Sequence, residues 1–400
     1  MSVGEPGVGP LTIFVIAGEE SGDLLGASLM STLTDRLGGG VHFLGVGGAR
    51  MAKLGLSSMF PMEEIVLHGL SEAIVHGPRL LACIRRMADA IIQADPDVLV
   101  LIDCPGFNLR VGRIVGRRNP SIPIVDYVSP SVWAYFPGRA RKMARYVDQL
   151  LAILPFEPEV HRQLGGPPTT YVGHPLLERL GKLRPVAGER APLGGGTRPV
   201  LVVLPGSRRS EVGRLMQGLG ETVALVVKRL GAVEVVLPAV RHLAEEIRAR
   251  AASWPVQPEI VEGEAATYAA FRRGHAALAA SGTVTLELAL SGVPMVVAYR
   301  LDVFLRTFKP LLRAHSIVLA NLILGENIIP EFLDGDASPE RLAGALLPLL
   351  ADTPERARQL AAFGRLEEIM ALDHGTPSSR AADVVLNALR RRPAVIGGPA

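Results

Sequence analysis

Four short stretches combine residue types that can bind or activate a polar ligand, and each directly follows an apolar run. The first, Ala17-Gly18-Glu19-Glu20-Ser21-Gly22-Asp23, precedes a helix expected from about Leu24. Ser21 can cap that helix, while Gly18 and Gly22 let a ligand approach the backbone beside Glu19. An ordinary glycine-containing turn would look the same. The second, Leu204-Pro205-Gly206-Ser207-Arg208-Arg209-Ser210-Glu211, offers Ser207 and backbone amides to a phosphate and Arg208 as a charge-assisted fork, with Gly206 and Glu211 flanking them. A solvated basic turn is the alternative. In the third, Ala280-Ser281-Gly282-Thr283-Val284-Thr285-Leu286-Glu287, Ser281, Gly282 and Thr283 open a helix whose free amides suit a diphosphate. Glu287, one turn on, can accept from ribose hydroxyls; buried without a polar partner it would be costly. Simple helix caps at Ser281 and Thr283 are the less favoured alternative. The fourth, Leu101-Ile102-Asp103-Cys104-Pro105-Gly106-Phe107-Asn108, presents Asp103, which can take a proton from an attacking hydroxyl or cap the next helix.

Two weaker candidates accompany these. Tyr127-Val128-Ser129-Pro130-Ser131-Val132-Trp133-Ala134-Tyr135 places aromatics and the hydroxyls of Ser129 and Ser131 beside the basic run 139–145, a surface for sugar or phosphate, although Trp133 in a core is the simpler reading. His174 stands in a Gly-His-Pro turn, where a structural role is more common than a ligand contact. No His, Cys or carboxylate cluster has metal-ligand spacing, so no metal and no cofactor is expected. The glycines of Gly45-Val46-Gly47-Gly48 lack the spacing of a dinucleotide fingerprint.

These turns need a scaffold of parallel strands. Apolar runs at Leu11–Ile16, His42–Val46, Asp97–Ile102, Ile122–Val128 and Leu150–Leu154 alternate with helical patterns, as buried parallel strands do. A second series follows at Pro199–Leu204, Val233–Leu237, Glu259–Val261, Ala277–Ala280 and Pro294–Tyr299. The expectation is an α/β chain with two doubly wound, Rossmann-like domains. Residues 1–10 read as a tail, 11–180 as the N-terminal domain, 181–198 as a Gly/Pro-rich linker or hinge, and 199–357 as the C-terminal domain. Residues 358–392 read as C-terminal helices that pack back on the N-terminal domain or exchange in a dimer, and 393–400 as a second tail.

Composition narrows the function. With 48% hydrophobic and 20% charged residues, 400 residues are enough for two packed cores, and a net charge of +3 is too small to argue for nucleic-acid binding. Two cysteines and no secretory signal predict a cytoplasmic protein. Ala276–Tyr299 is nearly uncharged, but Glu287, Gly282, Gly292 and Pro294 break it into strand, turn, helix and strand, so a spanning helix is rejected.

Taken in order, AGEESGD at 17–23, GVGGARM at 45–51, IDCPGFNLR at 102–110, YVSPSVWAY at 127–135, LAILPFEP at 151–158, YVGHPL at 171–176, LPGSRRSEV at 204–212, SGTVTLE at 281–287 and PMVVAYR at 294–300 resemble the lipid-A-disaccharide synthases. The likeness runs from about Leu11 to Leu372. It implies the GT-B architecture, two Rossmann-like domains with the active site in the cleft between them. It also implies a metal-independent, inverting transfer from UDP-2,3-diacylglucosamine to 2,3-diacylglucosamine 1-phosphate, giving the β(1→6) disaccharide 1-phosphate and UDP. Asp103 would be the base and Arg208 would draw off the leaving nucleotide, with Asn321 and Glu331 among the substrate contacts. A UDP-sugar epimerase or hydrolase of the same architecture is the nearest alternative, and a non-catalytic nucleotide-sugar-binding module a more distant one.

The acylated substrates imply peripheral contact with the inner-membrane surface, for which the stretches 65–87 and 304–313 are candidates, and the family makes a homodimer an expected assembly. For both stretches a helix packed on its own domain is the simpler and favoured reading. The chain departs from the family where Gly106 replaces an aspartate, Ala320 a proline, Asp334 a glutamine and His68 an apolar residue.

Overall fold

The computed structural model describes residues 10–62, 77–194, 196–300 and 314–389. The chain divides into two units, Met1–Leu177 with Leu372–Ala400, and Glu178–Ala371. Within the first, β1 (Leu11–Ala17), β2 (Val41–Val46), β3 (Ser57–Ser58), β4 (Val98–Ile102), β5 (Ile124–Tyr127), β6 (Gln149–Ala152) and β7 (Thr169–Tyr171) form a sheet in the order β3-β2-β1-β4-β5-β6-β7. Every neighbouring pair runs parallel. Central strands such as β4 are buried along their whole length because helices cover both faces, which is why they read as unbroken apolar runs. On one face Leu29, Met30 and Leu33 of helix Glu20–Arg36 pack with Ala381, Ala382 and Val385 of the last helix, Pro377–Leu389. Leu80, Ile84, Met87, Val111 and Val115, from helices Gly77–Ala94 and Pro105–Arg118, cover the other.

In the second unit, β8 (Val200–Leu204), β9 (Glu234–Ala239), β10 (Glu259–Glu262), β11 (Ala276–Ala280), β12 (Met295–Tyr299) and β13 (Glu331–Leu333) are ordered β10-β9-β8-β11-β12-β13, again parallel throughout. Each sheet grows outward in both directions from its first strand, so the order reverses between β1 and β4 in one unit and between β8 and β11 in the other. Ligands of open α/β sheets bind beyond the carboxyl ends of the strands at that reversal.

Several expectations need correction. The stretch 181–198 is not a free hinge: Arg190, within it, donates Nε to Arg272 O at 3.1 Å, Nη1 to Gly292 O at 2.7 Å, and Nη2 to Phe271 O and Ser291 O at 3.0 and 2.8 Å. One guanidinium thus satisfies carbonyls at the ends of two helices, where a cation is favoured, and the boundary moves to Leu177–Glu178. The grouping 358–392 also divides. Helix Pro354–Met370 stays with the second unit, its Gln359 exchanging hydrogen bonds with both backbone groups of Met295 at 2.8 and 3.1 Å. Only the last helix returns to the first unit, where Arg36 pairs with Asp383 and donates to Ser379 Oγ at 2.6 Å. Of the membrane candidates, 304–313 and 65–76 lie outside the described residues, as do residues 1–9, His68 and the tail from 390. In the described part of 65–87, Leu80, Ile84 and Met87 are core residues, which leaves Leu81 as the exposed large apolar side chain.

Candidate active site

Asp103 follows β4, one strand from β1 and one from β5. It is left-handed, with φ +52°, and so is Cys104 at +47°. Consecutive non-glycine residues in this region store about 1–3 kcal/mol each, so surrounding contacts must hold them. Those contacts are visible. The Asp103 N–H donates to Tyr127 O at 2.8 Å, and fully buried Asn108 donates through Nδ2 to Asp103 O at 2.8 Å and Ile102 O at 3.0 Å. The Asp103 carboxylate accepts the Cys104 N–H at 2.8 Å, leaving its second oxygen for other partners. Burial raises the Asp103 carboxyl above the usual carboxylate range, a shift the Cys104 N–H partly offsets. A base gains proton affinity that way. Burial, with the charges of Glu19 and Asp103, pushes the Cys104 thiol up to about 11, which keeps it from acting as a thiolate.

The turn after β1 meets the same edge. Helix Glu20–Arg36 starts one turn earlier than expected, with Glu19 at its N-cap, so Ser21 lies inside the helix, exposed, and caps nothing. Gly18 and Gly22 are buried, and a side chain on Gly22 would crowd Ala17 and Ile102. Asp23, 2% exposed, accepts the N–H groups of Gly48, Arg50 and Met51 at 2.8, 3.0 and 3.1 Å, and so ties the Gly47-Gly48 turn to the start of this helix.

Beyond β5, Val128 holds φ +82°, an outlier for a β-branched residue. The segment behind it is clamped from helix Glu157–Leu164. Ser129 is buried, with its Oγ 2.8 Å from His161 Nε2. Half-buried Trp133 donates to Glu157 Oε1 at 3.3 Å and meets Phe156 edge-on at 5.6 Å. Burial pushes Glu157 up to about 7 and His161 down to about 4. Ser131 is the exposed member of the pair of serines. His174 is buried and neutral, pushed down to about 4 by burial, and its Nδ1 accepts the Leu176 N–H at 3.2 Å, which makes it an anchor of its own turn.

In the second unit the turns after β8 and β11 adjoin, because these strands pair. Gly206 has φ +106°, and a Cβ there would lie 2.5 Å from Glu211 Oε2. That carboxylate, buried to 7% exposure, accepts the N–H of Ser207 at 3.1 Å and of Arg208 at 3.3 Å. Glu211 therefore shapes the turn instead of facing a ligand. The Arg208 guanidinium pairs with the same carboxylate at 3.6 Å, and its side chain is 76% exposed. Gly282 and Thr283 are exposed, while the Ser281 hydroxyl donates inward to Ile317 O at 2.9 Å. The hydroxyl proton of Ser281 is thereby used, which leaves its backbone as the donor for an anion. Burial raises the Glu287 carboxyl, and the charge of Arg179 and a hydrogen bond from Tyr268 pull it back.

Asn321 and Glu331 form a knot of their own. Asn321, fully buried, donates to Ile329 O and Glu331 Oε1 at 3.0 and 2.8 Å and accepts from Ile328 and Ile329 N–H at 3.1 and 2.9 Å. Glu331 also accepts from Ser316 Oγ and, at 3.0 Å, from Ile317 N. Asn321 has no polar atom left over for a direct ligand contact, and Glu331, which it holds, also accepts from Ile317, whose carbonyl receives Ser281. Among the described residues no group of three or more His, Cys, Asp or Glu could hold a metal ion.

The family model for lipid-A-disaccharide synthetase matches residues 13–379. The chain belongs to the lipid-A-disaccharide synthase family. A curated lipid-A-disaccharide synthase from Rhodopseudomonas palustris strain HaA2 is 54% identical over 380 residues, 95% of this chain and 96% of the relative. Among solved structures, MurG of Acinetobacter baumannii superposes with a TM-score of 0.55 at 13% identity, over 94% of this chain and 100% of that one. UDP-GlcNAc 2-epimerase from Neisseria meningitidis, bound to UDP-GlcNAc, gives 0.54 at 12%, over 95% and 99%. At these identities the likeness is one of fold, the GT-B arrangement shared by transferases and epimerases. Sequence identity to the lipid-A-disaccharide synthase family, not the fold, separates the two.

Sequence reasoning missed Asp23, Asp126 and Glu157. Asp126, on β5, is fully buried; burial and then the charge of Asp103 raise its carboxyl well above the usual range. Its Oδ2 has no hydrogen-bond partner among the described residues. A lone acid inside the apolar run 122–128 was the available signal.

Proposed function

We propose that the chain transfers the diacylglucosamine of UDP-2,3-diacylglucosamine to the 6-hydroxyl of 2,3-diacylglucosamine 1-phosphate, with inversion, releasing UDP. Asp103 takes the hydroxyl proton as the oxygen attacks the anomeric carbon. The backbone of Ser281, Gly282 and Thr283, with Ser207 and Arg208, receives the charge that grows on the departing diphosphate. The observation that carries this reading is the half-buried Asp103, held left-handed at the strand-order reversal of the first unit, in a chain of this family whose second unit exposes Gly282, Thr283 and Arg208 in the turns at its own reversal. A residue kept in a costly conformation at a ligand-binding position points to function. Glu287 accepts from the ribose hydroxyls, and Gly18, Glu19, Gly22 and Ser131 line the acceptor side.

Both substrates carry acyl chains, which supports work at the cytoplasmic face of the inner membrane; no helix among the described residues is long and apolar enough to cross one. A homodimer is the expected assembly, and sedimentation of the purified protein tests it. The reaction is tested by incubating the protein with UDP-2,3-diacylglucosamine with and without the monosaccharide 1-phosphate. UDP release that needs the acceptor supports transfer. Acceptor-independent turnover overturns it in favour of an epimerase or hydrolase.

A further inference from the structure

Glu287 does not stand alone. Tyr268, 4% exposed on helix Glu264–Arg273, approaches Glu287 Oε1 with its hydroxyl at 3.4 Å. Arg179 Nη1 lies 3.2 Å from the same hydroxyl and 2.9 Å from Glu264 Oε2. A guanidinium has only donors, so the Tyr268 oxygen must accept from Arg179, and its single proton is left for Glu287. The order of donation is thereby fixed: Arg179 to Tyr268, Tyr268 to Glu287. Tyr268 is held in place by Phe271, ring centroids 6.2 Å apart, and Arg179 by Glu264, so neither end swings freely.

We infer that Arg179 and Tyr268 are positioning residues that orient the Glu287 carboxylate for a vicinal ribose diol, and so set the preference for ribonucleotide over 2′-deoxyribonucleotide donors. This rests on the ribose reading of Glu287. The tyrosine hydroxyl, 3.4 Å from one oxygen, biases the rotation of the carboxylate. The remaining lone pairs can then accept from two adjacent hydroxyls at once, a bidentate match that a rotating carboxylate would make less often. The charge of Arg179 and the Tyr268 hydrogen bond also counter the burial that raises Glu287, and so favour its acceptor-only form. Glu264 works the other way, and Arg179 neutralises it.

The test compares UDP with 2′-deoxy-UDP by calorimetric titration on the full chain, for wild type, Tyr268→Phe and Glu287→Gln, with donor KM and kcat measured alongside. Tyr268→Phe keeps the ring and removes one hydrogen bond to a charged group, which should weaken UDP about five- to tenfold. It should shrink the ribose-to-deoxyribose ratio severalfold, raise donor KM, and leave kcat at saturating donor within about twofold. Wild-type affinity and ratio in Tyr268→Phe, with the ratio lost in Glu287→Gln, would overturn the relay and leave the ribose reading intact. An unchanged ratio in Glu287→Gln would remove the ribose reading and the relay together. If Tyr268→Phe does not fold, Arg179→Met removes the other end, and the same two readings decide.

Discussion

Replacing Asp103 with Asn separates the chemistry from the fold. The backbone of residue 103 is left-handed at φ +52°, a conformation that asparagine tolerates well among L-residues. The amide oxygen can still accept the Cys104 N–H, now at 2.8 Å, and the backbone bonds to Tyr127 and Asn108 do not involve the side chain. What disappears is the proton acceptor. Loss of a positioned base costs about 10²- to 10⁴-fold, or about 3–5.5 kcal/mol of transition-state stabilisation. Stability should move the other way. Burial raises the folded-state pKa of Asp103, so its stabilising share is complete below the unfolded value of about 3.9 and is lost as pH rises through the folded one. At pH 8 Asp103→Asn should therefore melt no lower than wild type, with any advantage vanishing as pH falls below about 4. Acceptor-dependent UDP release, UDP titration and thermal melts at several pH values check all three points. A variant that keeps a tenth or more of wild-type turnover, or loses UDP affinity while folded, refutes the assignment.

Other outcomes follow from the same contacts. His161 and His174, both pushed down to about 4, contribute stability that is present above about 6.5 and lost as pH falls toward 4, whereas Glu157, near 7, loses its share as pH rises from about 4.5. Glu157→Gln removes a share that is present at acid pH, so its stability in urea should fall more, or rise less, than that of wild type between pH 7 and 4; an unchanged pH dependence contradicts this role of Glu157. Gly206→Ala places a methyl 2.5 Å from Glu211 Oε2 at φ +106°, and should cost about 1–3 kcal/mol and weaken UDP more than tenfold; unchanged binding would detach this turn from the nucleotide. Gly106→Asp meets no atom within 4 Å, in the first turn of helix Pro105–Arg118, and should add about 0.5–1.5 kcal/mol by propensity and helix dipole; a lower melting temperature would contradict the open space seen there.

The central strands were legible because both faces of each sheet are covered, which forces continuous apolar runs on β1, β4, β8, β11 and β12. The outer strands β3, β7 and β13 were not, since short edge strands such as Ser57–Ser58 and Thr169–Tyr171 bury too little to need an apolar pattern. The turns that carry Asp103, Gly206 and Gly282 could likewise be found from residue type and position after a strand. Roles within them could not. Glu211, Asn321 and Glu331 have the composition of ligand contacts, yet their polar atoms close on nearby backbone and on one another. Arg190 looked like part of a loose linker until carbonyls 80 and more residues away converged on it. The sequence by itself determined which segments become strands, which turns end them and which family the chain resembles, because these depend on local pattern. Tertiary structure alone decided which polar atoms remain for a ligand, because hydrogen-bond capacity is settled by partners distant in the chain.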